Sequence, residues 1–243
     1  MQERGDVVKD KDDQWIEAAA LDWEKLPARV EAVIAERIKR LPQPMREILR
    51  IASVEGEEFS AEVVAQVLER DEREVVRQLS SELDRKHNLI RAQAIERLGA
   101  QRLSRYRFRH YLCQKYLYET LDPVERSYLH EDVGIVLEKL YDQQVQAIAP
   151  QLAHHFQEAG ITNKAIHYLH QAGEKAVALS AYHEAVTHLN PGLALLMTLP
   201  ESQERDELEL TLLLSLGKAV KGRPAKEWRK TLTRALEVCQ KTG

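Results

Sequence analysis

Only two of the 243 residues are cysteines, Cys113 and Cys239, and they stand far apart in the chain. They offer neither a disulfide framework nor a C-x-x-C ligand pair, so a reducing, cytoplasmic setting is expected. No apolar run approaches the ~20 residues that a membrane-spanning helix needs. The stretch from Met1 to Asp13 is polar and lacks the apolar core of a secretory leader, so no membrane partner is expected. A phosphate-binding loop of the form G-x-x-x-x-G-K-[ST] is also missing. Gly217-Lys218 is followed by Ala219, and Leu212 stands where the first glycine would be. The chain is therefore expected to hold no nucleotide by itself and to carry no active site. Its net charge of −4 argues against a molecule that binds nucleic acid or membranes with its whole surface.

What remains is an ordinary globular composition, 44% hydrophobic and 30% charged. A chain of this length hides roughly 70–75% of its unfolded surface, enough for a core without disulfide or metal staples. Val7-Val8 and Trp15-Ile16 flank a polar turn and read as a short hairpin. Pro27 sits where a first helical residue should, and Val30, Val33, Ile34 and Ile38 form an apolar stripe that ends before Leu41-Pro42-Gln43-Pro44. Three helices follow. The first carries Met45, Ile48, Leu49 and Ala52. The second starts at Ser60 as N-cap, and the third at Asp71, with Glu74 completing a capping box. Leu89-Ile90 and Tyr106-Arg107-Phe108 are expected as two strands around a long turn containing Gly99. Three short helices and a hairpin are the order of a winged helix-turn-helix.

The remainder reads as helical. Asp122-Pro123 with Glu125 opens a helix with Leu129, Val133, Val136, Leu137 and Leu140 on its buried face. Further helices are expected near 146–159, 163–179, 181–198, 203–219 and 225–241, parted at Gly160, Ser180, Pro200 and Gly222-Arg223-Pro224. Two overlapping frames fit the tetratricopeptide spacing of small and large residues: Ala172-Gly173, Ala185, Leu189, Gly192, and Leu152-Ala153, Ala165, Leu169, Ala172. Because they overlap, a continuous solenoid is expected, each helix packing on both neighbours. The fold class expected is mainly α: a winged helix-turn-helix with a small β-hairpin, then a tetratricopeptide-like α-solenoid.

Leu26-Pro27-Ala28-Arg29-Val30, Arg37-Ile38, Ala52-Ser53-Val54-Glu55-Gly56-Glu57-Glu58-Phe59, Tyr106-Arg107-Phe108-Arg109-His110 and Leu152-Ala153-His154-His155-Phe156 occur in this order. The chain resembles the region downstream of the phosphate loop in bacterial STAND-class signalling ATPases. In these an AAA-like ATPase is joined to a winged helix and a tetratricopeptide array, with a transcription-activator or adenylate-cyclase domain elsewhere. The resemblance implies residues 1–41 as the edge of the ATPase module, 42–121 as the winged helix and 122–243 as the repeat domain. It implies that the winged helix docks on the ATPase module of the parent protein, that the repeats bind a protein or peptide, and that ATP or ADP belongs to the upstream module. Phe108-Arg109-His110 with Leu112 resembles the Met-His-Asp motif of that family, whose histidine touches the β-phosphate of ADP. His110 is the matching residue, with Arg109 in place of the methionine and Tyr111 in place of the aspartate. The alternative is that His110 caps the next helix or packs under the wing.

Other candidate chemistry is sparse. His154, His155, His167, His170, His183 and His188 are scattered, and His183-Glu184 with His188 is one residue longer than H-E-x-x-H. That spacing turns the second imidazole ~140° from the first, so one zinc ion cannot meet both. No metal ligand set is expected. Cys113, three residues after His110, lacks a third orienting group and is expected in the core. The most prominent feature is the cationic hairpin: Arg91, Arg97, Arg102, Arg105, Arg107 and Arg109, with Glu96 the only acid among them. Phosphate contact, a solvated edge and docking on an acidic partner are all compatible with it. Asp71, Glu72 and Glu74 open the third helix where a DNA-reading helix would need donors, so nucleic acid ranks below protein as the partner.

Overall fold

The structure is a computed structural model and describes residues 7–9, 15–17, 28–99, 101–220 and 225–242. It is mainly helical, with a small three-stranded antiparallel sheet. Residues 1–46 and 47–243 form two compact units.

In the first unit, β1 (Val7–Lys9) pairs antiparallel with β2 (Trp15–Glu17), Val8 facing Ile16, so the expected hairpin is present. Helix α1 runs Ala28–Lys39, while Pro27 lies outside the described residues. The apolar stripe of α1 needs correcting: Ile34 and Ile38 are buried, but Val33 is 62% exposed and Val30 is also exposed.

Helix α2 (Gln43–Glu55) buries Ile48, Leu49, Ile51, Ala52 and Val54. A strand absent from the sequence reading follows, β3 (Glu58–Ser60), and then α3 (Ala61–Val67) and α4 (Glu72–Arg77). Asp71 caps α4 as expected, its side chain accepting from the Glu74 N–H at 3.0 Å. Ser60 does occupy the N-cap position of α3, but its side chain makes no capping bond. Its hydroxyl donates instead to Glu55 Oε1 at 2.8 Å. Beyond Arg77 the chain continues as a π-helix over Gln78–Lys86, burying Leu79 and Leu83.

The hairpin is longer than expected. β4 covers Ile90–Leu98 and β5 covers Gln101–Phe108, so the turn is short rather than long. The order is β3-β5-β4, with a bulge between Ala92 and Ala94. Phe59, Tyr106 and Phe108 stack their rings within 6.0 Å over this sheet. Together with Ile48, Leu79, Leu83 and Ile90 they make its core.

Helices α5 (Tyr111–Glu119) and α6 (Pro123–Tyr141) come next. Asp122 caps α6, accepting from the N–H groups of Val124 at 2.9 Å and Glu125 at 3.3 Å. Glu125 turns outward to pair with Arg50. A 3₁₀ segment, Asp142–Ala147, leads to α7 (Ala149–Glu158), α8 (Thr162–Ala178), α9 (Tyr182–Leu196), α10 (Gln203–Ala219) and α11 (Ala225–Thr242). Each packs on its neighbours in sequence, and α8 also reaches α10. Gly160 (φ +74°) and Ser180 (φ +58°) take the left-handed conformation that ends a helix. Pro191 lies inside α9, within the helix expected near 181–198. Gly217 and Lys218 fall within α10. Among the described residues no helix is long and apolar enough to cross a membrane.

The contact between α8 and α9 is closest at Gly173. A Cβ there would lie 2.5 Å from Leu189 Cγ and Cδ2. Ala185 and Leu189 are fully buried in the same cluster. Gly173→Ala is expected to destabilise the protein by ~1–3 kcal/mol through overpacking, beyond any gain in helix propensity. Urea unfolding measures this, and an unchanged midpoint would show that the helices are not in close contact there.

Candidate functional site

The six arginines of the hairpin divide into two groups. Arg105 is the deepest. Its Nη1 donates to Ser60 Oγ at 2.7 Å and to Glu55 Oε1 at 3.3 Å, its Nε to Glu96 Oε2 at 3.0 Å, and its Nη2 to the Tyr141 hydroxyl. Burial alone would lower the Arg105 value, but Tyr141, Glu55 and Glu96 outweigh it and hold the guanidinium charged. Arg107 donates through Nε and Nη2 to Glu57 Oε1, at 2.9 and 2.6 Å. Arg109 binds Asp84 Oδ1 at 2.7 Å and the Ile90 carbonyl at 2.8 Å. These three are bound to carboxylates close by in the fold. Arg91, Arg97 and Arg102 are exposed and make no ion pair among the described residues.

Carboxylates interlock with this arrangement. Glu55, at the end of α2, is buried and accepts from both the N–H and the hydroxyl of Ser60. Burial pushes it up to about 7, against the pull of Ser60 and Arg105. Glu62 is buried beside it and accepts from the Ser104 N–H at 2.7 Å. The start of α4 remains acidic and exposed, with Asp71, Glu72 and Glu74 all on the surface.

His110 stands at the N-cap position of α5, exposed, with no side-chain capping bond. It thus holds the cap position of α5 through its backbone alone, and its side chain is exposed rather than packed beneath the hairpin. Cys113 is buried one turn further on, and its backbone N–H donates to the His110 carbonyl. With one side chain outside and the other inside, they do not form a nucleophilic dyad.

The sequence reading missed a buried cluster where α5, α6 and α7 meet. His130 and His155 are both fully buried, their Nδ1 atoms 2.9 Å apart. One ring must donate and the other accept, so both are neutral with complementary tautomers. His130 Nε2 lies 2.9 Å from the Tyr118 hydroxyl, and the His154 ring stands edge-on to His130 at 5.5 Å. His155 Nε2 is buried with no partner. Burial, then His154 and Arg126, push His130 down to about 4. Burial, then His130 and His154, push His155 down to about 3. A signal was available in the sequence: His130 lies three residues before Val133 and seven before Leu137, on the apolar stripe of α6.

The other histidines do separate work. His167 contacts Gln171, and His170 reaches Ser215 on α10 at 3.1 Å. His188 lies 3.8 Å from Glu184 on its own helix. Among the described residues no group of three or more His, Cys, Asp or Glu side chains is placed to hold a metal ion. At the far end, the buried carboxylates of Asp206 and Glu209 are matched by Lys241 and Arg234. The chain matches no family model, no curated protein and no solved structure.

The histidine pair sets an acid limit on stability. Both values are depressed, so the folded state refuses protons that the unfolded chain takes below about 6.5. The stabilisation is complete above that pH and is lost as pH falls toward 4 and then 3. The slope is up to about 1.4 kcal/mol per pH unit for each imidazole. Glu55, whose value is raised, acts in the opposite sense over roughly pH 4.5–7, so a variant is needed to isolate the histidines. Replacing both, His130→Gln with His155→Gln, is expected to flatten the acid limb of stability against pH. Equal slopes in the two proteins would contradict this account.

Proposed function

We propose that this chain is a non-catalytic regulatory and protein-interaction segment of a multidomain signalling ATPase of the STAND type. Residues 42–121 serve as a winged helix that docks within the parent protein, and residues 122–243 as a tetratricopeptide-like array that binds a protein or peptide. The observation that carries this reading is the distribution of charge on the β4–β5 hairpin. Three of its six arginines are bound to carboxylates of the same module, and the helix that would read DNA opens with three exposed acids. On a surface built to follow a phosphate backbone, acids at the first turn of the reading helix work against its own cations, here the exposed Arg73 and Arg77.

The order of elements supports the fold assignment. Helices α2, α3 and α4, strand β3 between the first two, and the β4–β5 hairpin follow winged-helix order. Gly173 against Leu189, and Gly192 against Leu169 and Leu212, give the close helix approach expected of the repeat frame. Links from α6 to α8 (Glu138 with Lys164 and Tyr168) and from α8 to α10 (His170 with Ser215) support a row of alternate helices. In this reading His110, exposed at the end of the hairpin, faces a nucleotide held by the ATPase module, and ATP or ADP belongs to the parent rather than to this chain.

The competing reading is a DNA-binding transcription factor that uses the hairpin. Electrophoretic shift of the purified chain with mixed-sequence duplexes separates the two. We expect at most salt-sensitive retardation that vanishes at moderate salt, and no micromolar ATP binding by calorimetry. A sequence-specific shift surviving moderate salt would establish the DNA reading, and tight ATP binding would overturn the division of labour with an upstream module.

A further inference from the structure

A crevice of about 320 Å³ lies among α3, the start of α4, the start of β5 and α6. Its walls are Glu62 and Gln66 from α3, Glu72 from α4, Gln101 and Arg102 from β5, and Leu140 from α6. That volume is at the lower end of the range for small-molecule sites. Glu62 is the wall residue that stability does not account for. It is only 5% exposed. Its Oε2 accepts from the Ser104 N–H at 2.7 Å, and that is its one hydrogen bond among the described residues. A glutamine would serve the Ser104 N–H equally well without burying a charge.

Buried charges are normally paired, and Glu62 is not. Arg105 directs its hydrogen bonds to Glu55, Ser60, Glu96 and Tyr141, and none to Glu62. The second carboxylate oxygen of Glu62, Oε1, is left without a partner on the wall of the crevice. Glu72 and Arg102 border the same space, and neither makes an ion pair among the described residues, with each other or with Glu62. Solvent accounts for Glu72 and Arg102, which are exposed, but not for Glu62. Opposite charges therefore line one crevice without meeting. An anion entering it faces two carboxylates against one guanidinium. A bare metal ion faces Arg102, and among the described residues no group of three or more ligating side chains is placed to hold one.

We propose that this crevice is a binding site for a free basic amino acid of the lysine type, with Glu62 and Glu72 taking its two cationic groups and Arg102 its carboxylate. The charge count carries the assignment. The crevice offers two negative charges and one positive, and a basic amino acid offers two positive and one negative. Every charge on each side then has a counterpart, and each contact is a charge-assisted hydrogen bond. A simple amine would leave Arg102 unmatched, and an amino acid with an apolar side chain would leave one carboxylate unmatched. Leu140, buried on α6, gives the methylene stem of the ligand an apolar wall, as long cationic side chains use elsewhere. The Gln66 and Gln101 amides complete the polar lining. This site is independent of the docking role given above to the winged module.

The test uses the full chain and three probes: L-lysine, cadaverine, which lacks the carboxylate, and L-norleucine, which lacks the side-chain ammonium. Binding is read by amide chemical-shift titration, which also reports where the probe sits. L-lysine is expected to move the amides of Gln66, Gln101 and Ser104 and to bind about tenfold more tightly than either control, one charged contact's worth. Arg102→Gln should weaken L-lysine by about tenfold and leave cadaverine unchanged, a pattern that misfolding would not produce. Glu62→Gln keeps an acceptor for the Ser104 N–H and should weaken both L-lysine and cadaverine. L-lysine bound no better than cadaverine or L-norleucine would overturn the assignment of the ligand. Unmoved amides at Gln66, Gln101 and Ser104 with all three probes would overturn the site. Wild-type L-lysine affinity in both variants would overturn the roles given to Glu62 and Arg102.

Discussion

The guanidinium of Arg105 ties the three-stranded sheet to the helices around it. It comes from β5 and bonds to the end of α2 through Glu55, to the start of α3 through Ser60, to β4 through Glu96 and to the end of α6 through Tyr141. Arg105 keeps 20% of its side-chain surface, whereas the Glu55 side chain keeps none. A buried carboxylate is tolerated only where donors and an opposite charge surround it. The hydrophobic layer of Phe59, Tyr106 and Phe108 gives the sheet its bulk. Arg105 links that sheet to the end of α6.

The same logic divides the molecule's charges into structural and available ones. Arg105, Arg107 and Arg109, with Asp206 and Glu209 at the far end, are consumed by partners within the fold. Solvent-screened pairs such as Arg107 with Glu57 add little to stability, so their main effect is orientation. On the hairpin, Arg91, Arg97 and Arg102 stay exposed with no ion pair among the described residues, and His110 is exposed beyond it. The buried His130–His155 pair belongs to the structural group, since two neutral imidazoles behind Tyr118 can act only by refusing protons.

Much of this was legible in the sequence, and the failures have physical causes. The breaks at Gly160 and Ser180 and the caps at Asp71 and Asp122 could be read because local chemistry alone sets them. Strand β4 was cut short because Arg91 to Arg97 are all exposed and show no alternation to read. β3 was missed because it has only three residues and owes its existence to pairing with Arg105, Tyr106 and Arg107 far along the chain. The helix expected near 181–198 runs through Pro191, and α9 does so with Leu189 and Leu196 buried in the core. The fate of the arginines was invisible for a similar reason. Arg105 and Arg107 find Glu55 and Glu57 50 positions away, which only the folded sheet brings near.

The central claim is that Arg105 makes the sheet and α6 one cooperative body. Amide hydrogen exchange on Arg105→Met tests it most directly. The substitution removes the counter-charge that favours the Glu55 carboxylate and the donors that join β5 to α2, α3, β4 and α6. The account predicts that β5, the end of α2 and the C-terminal turns of α6 lose protection together and by similar amounts. Protection lost in β5 alone, with α6 exchanging as in the wild type, would contradict it.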